Sequence, residues 1–425
     1  MKPRIWLVLS LFAVAVASLY AVRVLLPSAR YRDEIHNGIK AQMGDLYSPW
    51  VGARELLLHH RNPYGEEVTH QIQMVFYGHA ISQNYAEPAT AVMNEQRFAY
   101  PVYTVFILAP TVYADFAHVR RWVCFALGLL TAISVLLCLS LLHQRLPWET
   151  VAALLLFTLS TPQIIQGLRF QQLALLVGFL LIAGTWCASK HYLVAAGALL
   201  AISTIKPQMA LLPLCGFAIW AFGDWPKRWR LAAGFITTLA VLCAAGQLLL
   251  PGWLGYFLAG IAAYRKYAPP TSPLRMVLGD ALGELLGGII VFALLLFAWR
   301  NRSAPADSRK FTEIVAAFLA GTLLAFPLLT PYNQVLLILP VMLLLQEWKL
   351  LPRFSRLIFA VIVSWPWIVS AVLLVFPPRL DSPSQLASLP SVLTLVFPLI
   401  LPLLLLSRRG DTAAPQLATA DSHPS

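Results

Sequence analysis

The sequence predicts an all-α polytopic integral membrane protein, a bundle of about twelve or thirteen transmembrane helices with amphipathic helices in its first outer loop. Three observations predict it. The chain is 59% hydrophobic and only 12% charged over 425 residues, more apolar surface than a soluble domain of ordinary size can hide. Many windows near the length of a spanning helix carry no charge. The basic residues gather between those windows, as loops on one membrane side do. The net charge of +12 is therefore read as topology and not as a nucleic-acid partner.

In chain order, Ile5 to Leu26 is the first span, interrupted only by Arg23 and preceded by Lys2 and Arg4. It has the look of a signal peptide but is expected to stay as an anchor. The apolar run is long for such a segment, and its small-residue triplets Ala13-Val14-Ala15 and Ala15-Val16-Ala17 lie inside the run instead of after it. Residues 27–97 then form a polar outer loop. Within it Met43-Gly44-Asp45-Leu46-Tyr47-Ser48-Pro49-Trp50 opens a helix, with Ser48 as N-cap and Pro49 in the first turn, so that Asp45 stands outside with no capping duty. Tyr47, Trp50, Val51, Arg54, Leu57, Leu58 and Arg61 recur at three- and four-residue spacings, an apolar face edged with aromatic and basic side chains that suits a membrane surface. Asn62-Pro63-Tyr64-Gly65 ends the helix as a turn. A second amphipathic stretch covers Thr69 to Gln83, and Arg97-Phe98-Ala99-Tyr100-Pro101 returns the chain to the bilayer as an aromatic belt.

Later apolar stretches cover residues 101–117, 122–142, 150–163, 168–188, 191–205, 208–222, 231–250, 284–300, 311–328, 332–347, 355–376 and 390–407. The stretch 150–163 is short and ends in Thr161-Pro162; read as a partial or re-entrant helix, it leaves twelve crossings and puts the basic loops on one side. Those loops are Met1 to Arg4, Arg120-Arg121, Lys190, Lys227 to Arg230, Arg300 to Lys310, Lys349 to Arg356 and Arg408-Arg409, and they hold more than half of the 31 Lys and Arg residues. The loop 27–97 then faces outward, together with Arg169, Gln172, Lys206, residues 251–283, Thr330 to Asn333 and Pro377 to Leu389. The expected site of residence is the inner (plasma) membrane. Residues 1–410 are expected to form one transmembrane domain, and the Ala/Thr/Ser/Pro tail 411–425 to be disordered. No internal repeat is visible. The five cysteines lie in apolar stretches without metal spacing, and His59, His60, His70 and His79 follow no ligand pattern, so neither a disulfide, a metal nor a cofactor is called for.

Gly44-Asp45-Leu46-Tyr47 through Asn62-Pro63-Tyr64, then Phe98-Ala99-Tyr100-Pro101 with Pro110, then Ile205-Lys206-Pro207, resembles the polyprenyl-phosphate-dependent membrane glycosyltransferases of family 87. That is a GT-C group which includes bacterial alpha-1,2-mannosyltransferases. Two departures bear on the substrate more than on the fold. Gln171-Gln172-Leu173-Ala174 stands where the family usually shows Gly-Gln-x-Asn, and Tyr100-Pro101-Val102 where it shows Tyr-Pro-Pro. The resemblance implies a GT-C-type bundle, a hexose donor on polyprenyl phosphate, a lipid or glycan acceptor, and a catalytic aspartate at Asp45. The substrate-binding set expected around it is Tyr47, Arg54, Asn62, Tyr64, Tyr100, Arg169, Gln172, Lys206, Arg265, Lys266, Arg275, Tyr332 and Asn333.

The chemistry gives these positions a reason of their own. Moving a sugar from a lipid phosphate to an alcohol with inversion needs one carboxylate to take the acceptor proton, opposite a leaving phosphate that stabilises itself. Asp45 is the candidate base, against the plainer role of a loop aspartate bonding nearby amides. Asp33 and Glu34 are rival acids, placed between Arg32 and His36 where a solvated, salt-bridged face explains them. Lys206 lies between two apolar stretches, where an unpaired ammonium costs a few kcal/mol and so demands a phosphate or carboxylate partner. Arg265, Lys266 and Arg275 offer further cations to the donor, or snorkel to lipid head groups. A transporter or flippase of a lipid-linked substrate is the alternative, and its usual marks, repeated halves and a midplane carboxylate, are missing.

Overall fold

Helix follows helix along the described chain, which comprises residues 3–26, 43–81, 95–267, 272–326 and 330–376; the side chains of Leu25 and residues 264–267 are not among what the computed structural model describes. Asp33, Glu34, the stretch 390–407, Arg408-Arg409 and the tail 411–425 lie outside the described residues. Helix α1 is Pro3–Tyr20 and runs on as a π-helical turn, Ala21–Leu25. The segment between α1 and the next long helix holds α2 (Tyr47–His59), α3 (Glu66–Tyr77) and α4 (Thr104–Leu108). There follow α5 (Phe116–Leu141), the bent pair α6 (Trp148–Leu159) and α7 (Pro162–Arg169), then α8 (Leu173–Ser189), α9 (Leu193–Ile202) and α10 (Pro207–Phe222). The last elements are α11 (Trp225–Leu249), α12 (Trp253–Tyr267), α13 (Pro273–Leu278), α14 (Asp280–Arg300), α15 (Arg309–Ala325), α16 (Ile338–Gln346) and α17 (Arg353–Val375). Among the described residues there is no strand.

Among the described residues five helices are long and apolar enough to cross a bilayer: α1 with its extension, α5, α11, α14 and α17, or six if the bent pair is one span. Five shorter apolar helices lie among them. Among the described residues the expected crossings thus comprise both full-length helices and a set of short or broken ones, and the expected crossing 390–407 lies outside those residues. The expected break at Thr161-Pro162 is present. There α6 and α7 meet at 61°, and the Thr161 side chain accepts from the Ile164 amide as an N-cap. The stretch 101–117 is not a span. It contains α4 and one 3-10 turn, Ala109–Thr111, because Pro110 has no amide to continue the ladder.

Two expectations for α2 are corrected. The helix begins at Tyr47, before Ser48, which therefore caps nothing, and its hydroxyl is buried without a partner. The cause lies upstream. Gly44, at φ +70°, reverses the chain, and Leu46 is already in the right-handed region, so the helix has started before serine can act. Nor does α2 lie on a membrane surface. Nine of its thirteen residues are buried, and a Cβ on Gly52 would stand 2.4 Å from the Phe98 ring. The turn after α2 is as expected: His60 is left-handed, and Asn62 Oδ1 accepts from the Tyr64 amide at 3.0 Å. Helix α3 has Gly65 as its N-cap and stops at a left-handed Gly78, earlier than Gln83.

Packing of the bundle depends on small residues. A Cβ on Gly197 of α9 would meet Leu231 O at 2.2 Å, and one on Gly234 of α11 would meet Val194 O at 2.3 Å, so the two helices cross backbone to backbone. Arg228, counted in a basic loop, is in the first turn of α11 and buried against the end of α10. It donates to Trp220 O, Arg302 O and Ala304 O at 2.7, 2.7 and 2.8 Å, which satisfies carbonyls that the helix end leaves open.

Candidate active site

Four breaks in helical structure converge on Asp45. The first is the Gly44 reversal: a Cβ there would meet Gln171 Oε1 at 2.8 Å and Phe170 O at 3.1 Å, so this backbone approach admits only glycine. It brings the Asp45 amide to donate to Phe170 O at 3.0 Å. The second break is the turn from α7 to α8, where Gln171 is left-handed at φ 47° and Gln172 is extended. The third is Lys206, held out of the helical region between the 3-10 turn Ser203–Ile205 and Pro207, since proline disfavours helix at the residue before it. The fourth is the 3-10 helix Pro331–Leu337, which carries Tyr332 and Asn333.

Their side chains form one network. Gln172 Nε2 donates to Asp45 Oδ2, and the Tyr332 hydroxyl donates to the same oxygen at 3.3 Å. Lys206 Nζ donates to Gln172 Oε1 at 3.3 Å and to Asn333 Oδ1 at 3.1 Å, and lies 5.0 Å from the centre of the Tyr332 ring. An ammonium only donates and a carboxylate only accepts, so the Gln172 amide between them has one possible orientation. Asn333 is fixed likewise, through Nδ2 to Thr330 Oγ1 at 2.6 Å. Lys206 is 7% exposed, and Asp45 is the charge that opposes it. Burial pushes the Asp45 carboxyl above the usual aspartate range; the Gln172 bond, the Lys206 charge and the Tyr332 bond pull against that rise. The result is a partly buried carboxylate with a cation one glutamine away. Among the described residues no three His, Cys, Asp or Glu side chains gather as a metal site requires.

The remaining expected residues fall elsewhere. Tyr47 packs edge-on to Phe116 at 4.9 Å and to Phe76 at 5.7 Å, in the aromatic layer next to Asp45. Arg54 lies over Trp50 at 5.4 Å, and Arg169 over Phe170 at 5.3 Å. Asn62 builds its own turn, and the Tyr64 hydroxyl donates to Tyr100 O at 2.7 Å, tying α2 to the segment before α4. Arg275 is held by Asp280 at 2.8 Å and Glu284 at 3.2 Å. The side chains of Arg265 and Lys266 lie outside what is described. Sequence reasoning passed over Glu55, which is 4% exposed and accepts from Arg61 at 3.3 Å and Gln71 at 3.2 Å, joining α2 to α3. It also passed over the buried pair Gln163 and Gln334, 3.1 Å apart. Neither pair has a spacing that marks it in the sequence.

Comparison with known proteins supplies a family. The model of glycosyltransferase family 87 matches residues 98–331, more than half of the chain, and that segment carries Tyr100, Arg169, Gln172 and Lys206. No curated protein and no solved structure matches. With sugar transfer the property of the family, the transporter alternative falls away, and the chain belongs to glycosyltransferase family 87 as a multi-pass membrane glycosyltransferase.

Proposed function

We propose that this transferase moves a hexose, mannose before others, from a polyprenyl-phosphate donor to a hydroxyl of a lipid-linked or glycan acceptor on the outer face of the inner membrane, with inversion. The observation that carries the proposal is the pairing of Asp45 with Lys206 through Gln172. Both hydrogen bonds to the carboxylate fall on Oδ2, which leaves Oδ1 for the acceptor hydroxyl. In the reaction Asp45 takes the acceptor proton as the acceptor oxygen bonds to the anomeric carbon. The bond from that carbon to the phosphate oxygen breaks, and its electron pair leaves with the polyprenyl phosphate. Lys206 faces the charge that grows on the leaving phosphate, in surroundings too apolar to screen it. Tyr332 and Asn333 position the two groups.

The test is incubation of purified protein with radiolabelled polyprenyl-phospho-mannose and native membrane lipids. Label should move to a lipid or glycan product. Label that moves only from a nucleotide sugar would overturn the donor.

A further inference from the structure

Beside the Asp45 network lies an apolar cavity of about 460 Å³, within the range of ligand pockets, that the reaction as described does not use. Leu139, Phe157, Met342 and Trp367 wall it, and among the described residues no charged side chain lines it. Its boundary with the network is the 3-10 helix Pro331–Leu337. Three residues make a turn of such a helix, so Gln334 and Leu337 share the face toward the cavity while Tyr332 and Asn333 take the others. On the cavity side Gln163 Nε2 donates to Gln334 Oε1 at 3.1 Å. Gln163 is 5% exposed, and its own carbonyl oxygen is buried with no partner. A buried acceptor of this kind is costly to leave unpaired, and so calls for a donor.

We propose that the cavity holds the hydrocarbon chains of the lipid acceptor, and that Gln163 Oε1 accepts from a hydroxyl in its uncharged head region. The proposal rests on the reading of the enzyme as acting on lipid substrates. A chain entering from the bilayer exchanges lipid for equally apolar side chains, so selection falls on the polar contacts. A phosphate presents only acceptor oxygens and negative charge. Against Gln163 Oε1 it would meet an acceptor, and it would find no cation among the described lining residues, whereas Lys206 stands on the other side of the 3-10 helix. A hydroxyl donates. Gln334 adjoins Asn333, the partner of Lys206, so a head group leaving the cavity past Gln334 arrives beside Asp45.

The experiment uses the full chain in phosphatidylcholine nanodiscs, with diacylglycerol carrying a diazirine in its acyl chain or polyprenyl phosphate carrying one in its tail. After irradiation the labelled peptides are mapped by mass spectrometry. The diacylglycerol probe should label Phe157, Met342 or Trp367. Excess unlabelled diacylglycerol should cut that labelling at least tenfold, as should Ala153→Trp, which fills the cavity, while Gln163→Leu should weaken the competition. Labelling by the polyprenyl phosphate probe instead, labelling that excess diacylglycerol does not reduce, or no labelling by either probe would each overturn the proposal. Labelling needs no turnover. A protein that labels but transfers no sugar refutes the reaction alone, and one that transfers sugar without labelling refutes the cavity alone.

Discussion

Replacing Gln172 with leucine removes the amide that joins Asp45 to Lys206 and keeps most of its volume. Two hydrogen bonds to charged groups disappear, each of a kind that contributes about 1.5 to 3 kcal/mol. Gln172 is the largest of the influences that oppose the burial of Asp45, so its loss pushes the carboxyl still further above the usual aspartate range. Only the ionised carboxylate accepts the proton, and activity is therefore present above that raised value and lost as pH falls through it. The acid limb of kcat/KM must then move to higher pH in the variant. Loss of one such bond from the transition state lowers kcat at neutral pH by roughly tenfold to a hundredfold. The assay is a pH profile of sugar transfer for wild type and Gln172→Leu, with Gln172→Glu as a second variant whose carboxylate, beside Asp45, also raises its pKa. An acid limb that stays in place, or moves to lower pH, would refute the reasoning even if kcat fell.

Three further outcomes follow from the same contacts. Lys206→Met should raise the apparent KM for the lipid donor by about tenfold or more while the protein stays folded in detergent; unchanged donor kinetics would return Lys206 to a purely structural part. Gly234→Ala forces α9 from α11, where its new Cβ would lie 2.3 Å from Val194 O, and should lower stability by about 1 to 3 kcal/mol, read as a lower Tm in detergent. An alkaline phosphatase fused near residue 66 should be active and one near residue 303 inactive; activity at both, or at 303 alone, would contradict the outward placement of Asp45.

Of the residues singled out in the sequence, the structure joins Asp45, Gln172, Lys206, Tyr332 and Asn333 in one network and gives most of the others different partners, so single members of the candidate site were readable but not their assembly. Asp45 stood out through its motif, and Lys206 through the cost of an ammonium between apolar stretches. Their meeting could not be read, because Gln172 is 127 residues from Asp45 and Tyr332 is 287 residues away, and no local pattern encodes such closure. Where local preference competed with long-range packing it lost. Ser48 is a good N-cap by type, yet the Gly44 reversal against Phe170 and Gln171 started the helix two residues earlier. The apolar face of α2 was visible, but not that Phe98 would close over Gly52 and make the helix interior. Hydropathy located the apolar stretches well and their continuity poorly: the short run ending in Thr161-Pro162 marked the 61° bend, but a window cannot see the 3-10 start at Pro331.

Asp45→Asn tests the central claim most directly, since asparagine keeps the shape and one carbonyl oxygen but is almost non-basic. Turnover of polyprenyl-phospho-mannose by the purified variant should fall about a hundredfold to ten-thousandfold, the usual contribution of a general base, with donor binding close to wild type. Asp33→Asn and Glu34→Gln should stay within about a few fold of wild type, since neither is assigned a proton to carry. An Asp45→Asn protein that transfers sugar at a near-normal rate would contradict the account.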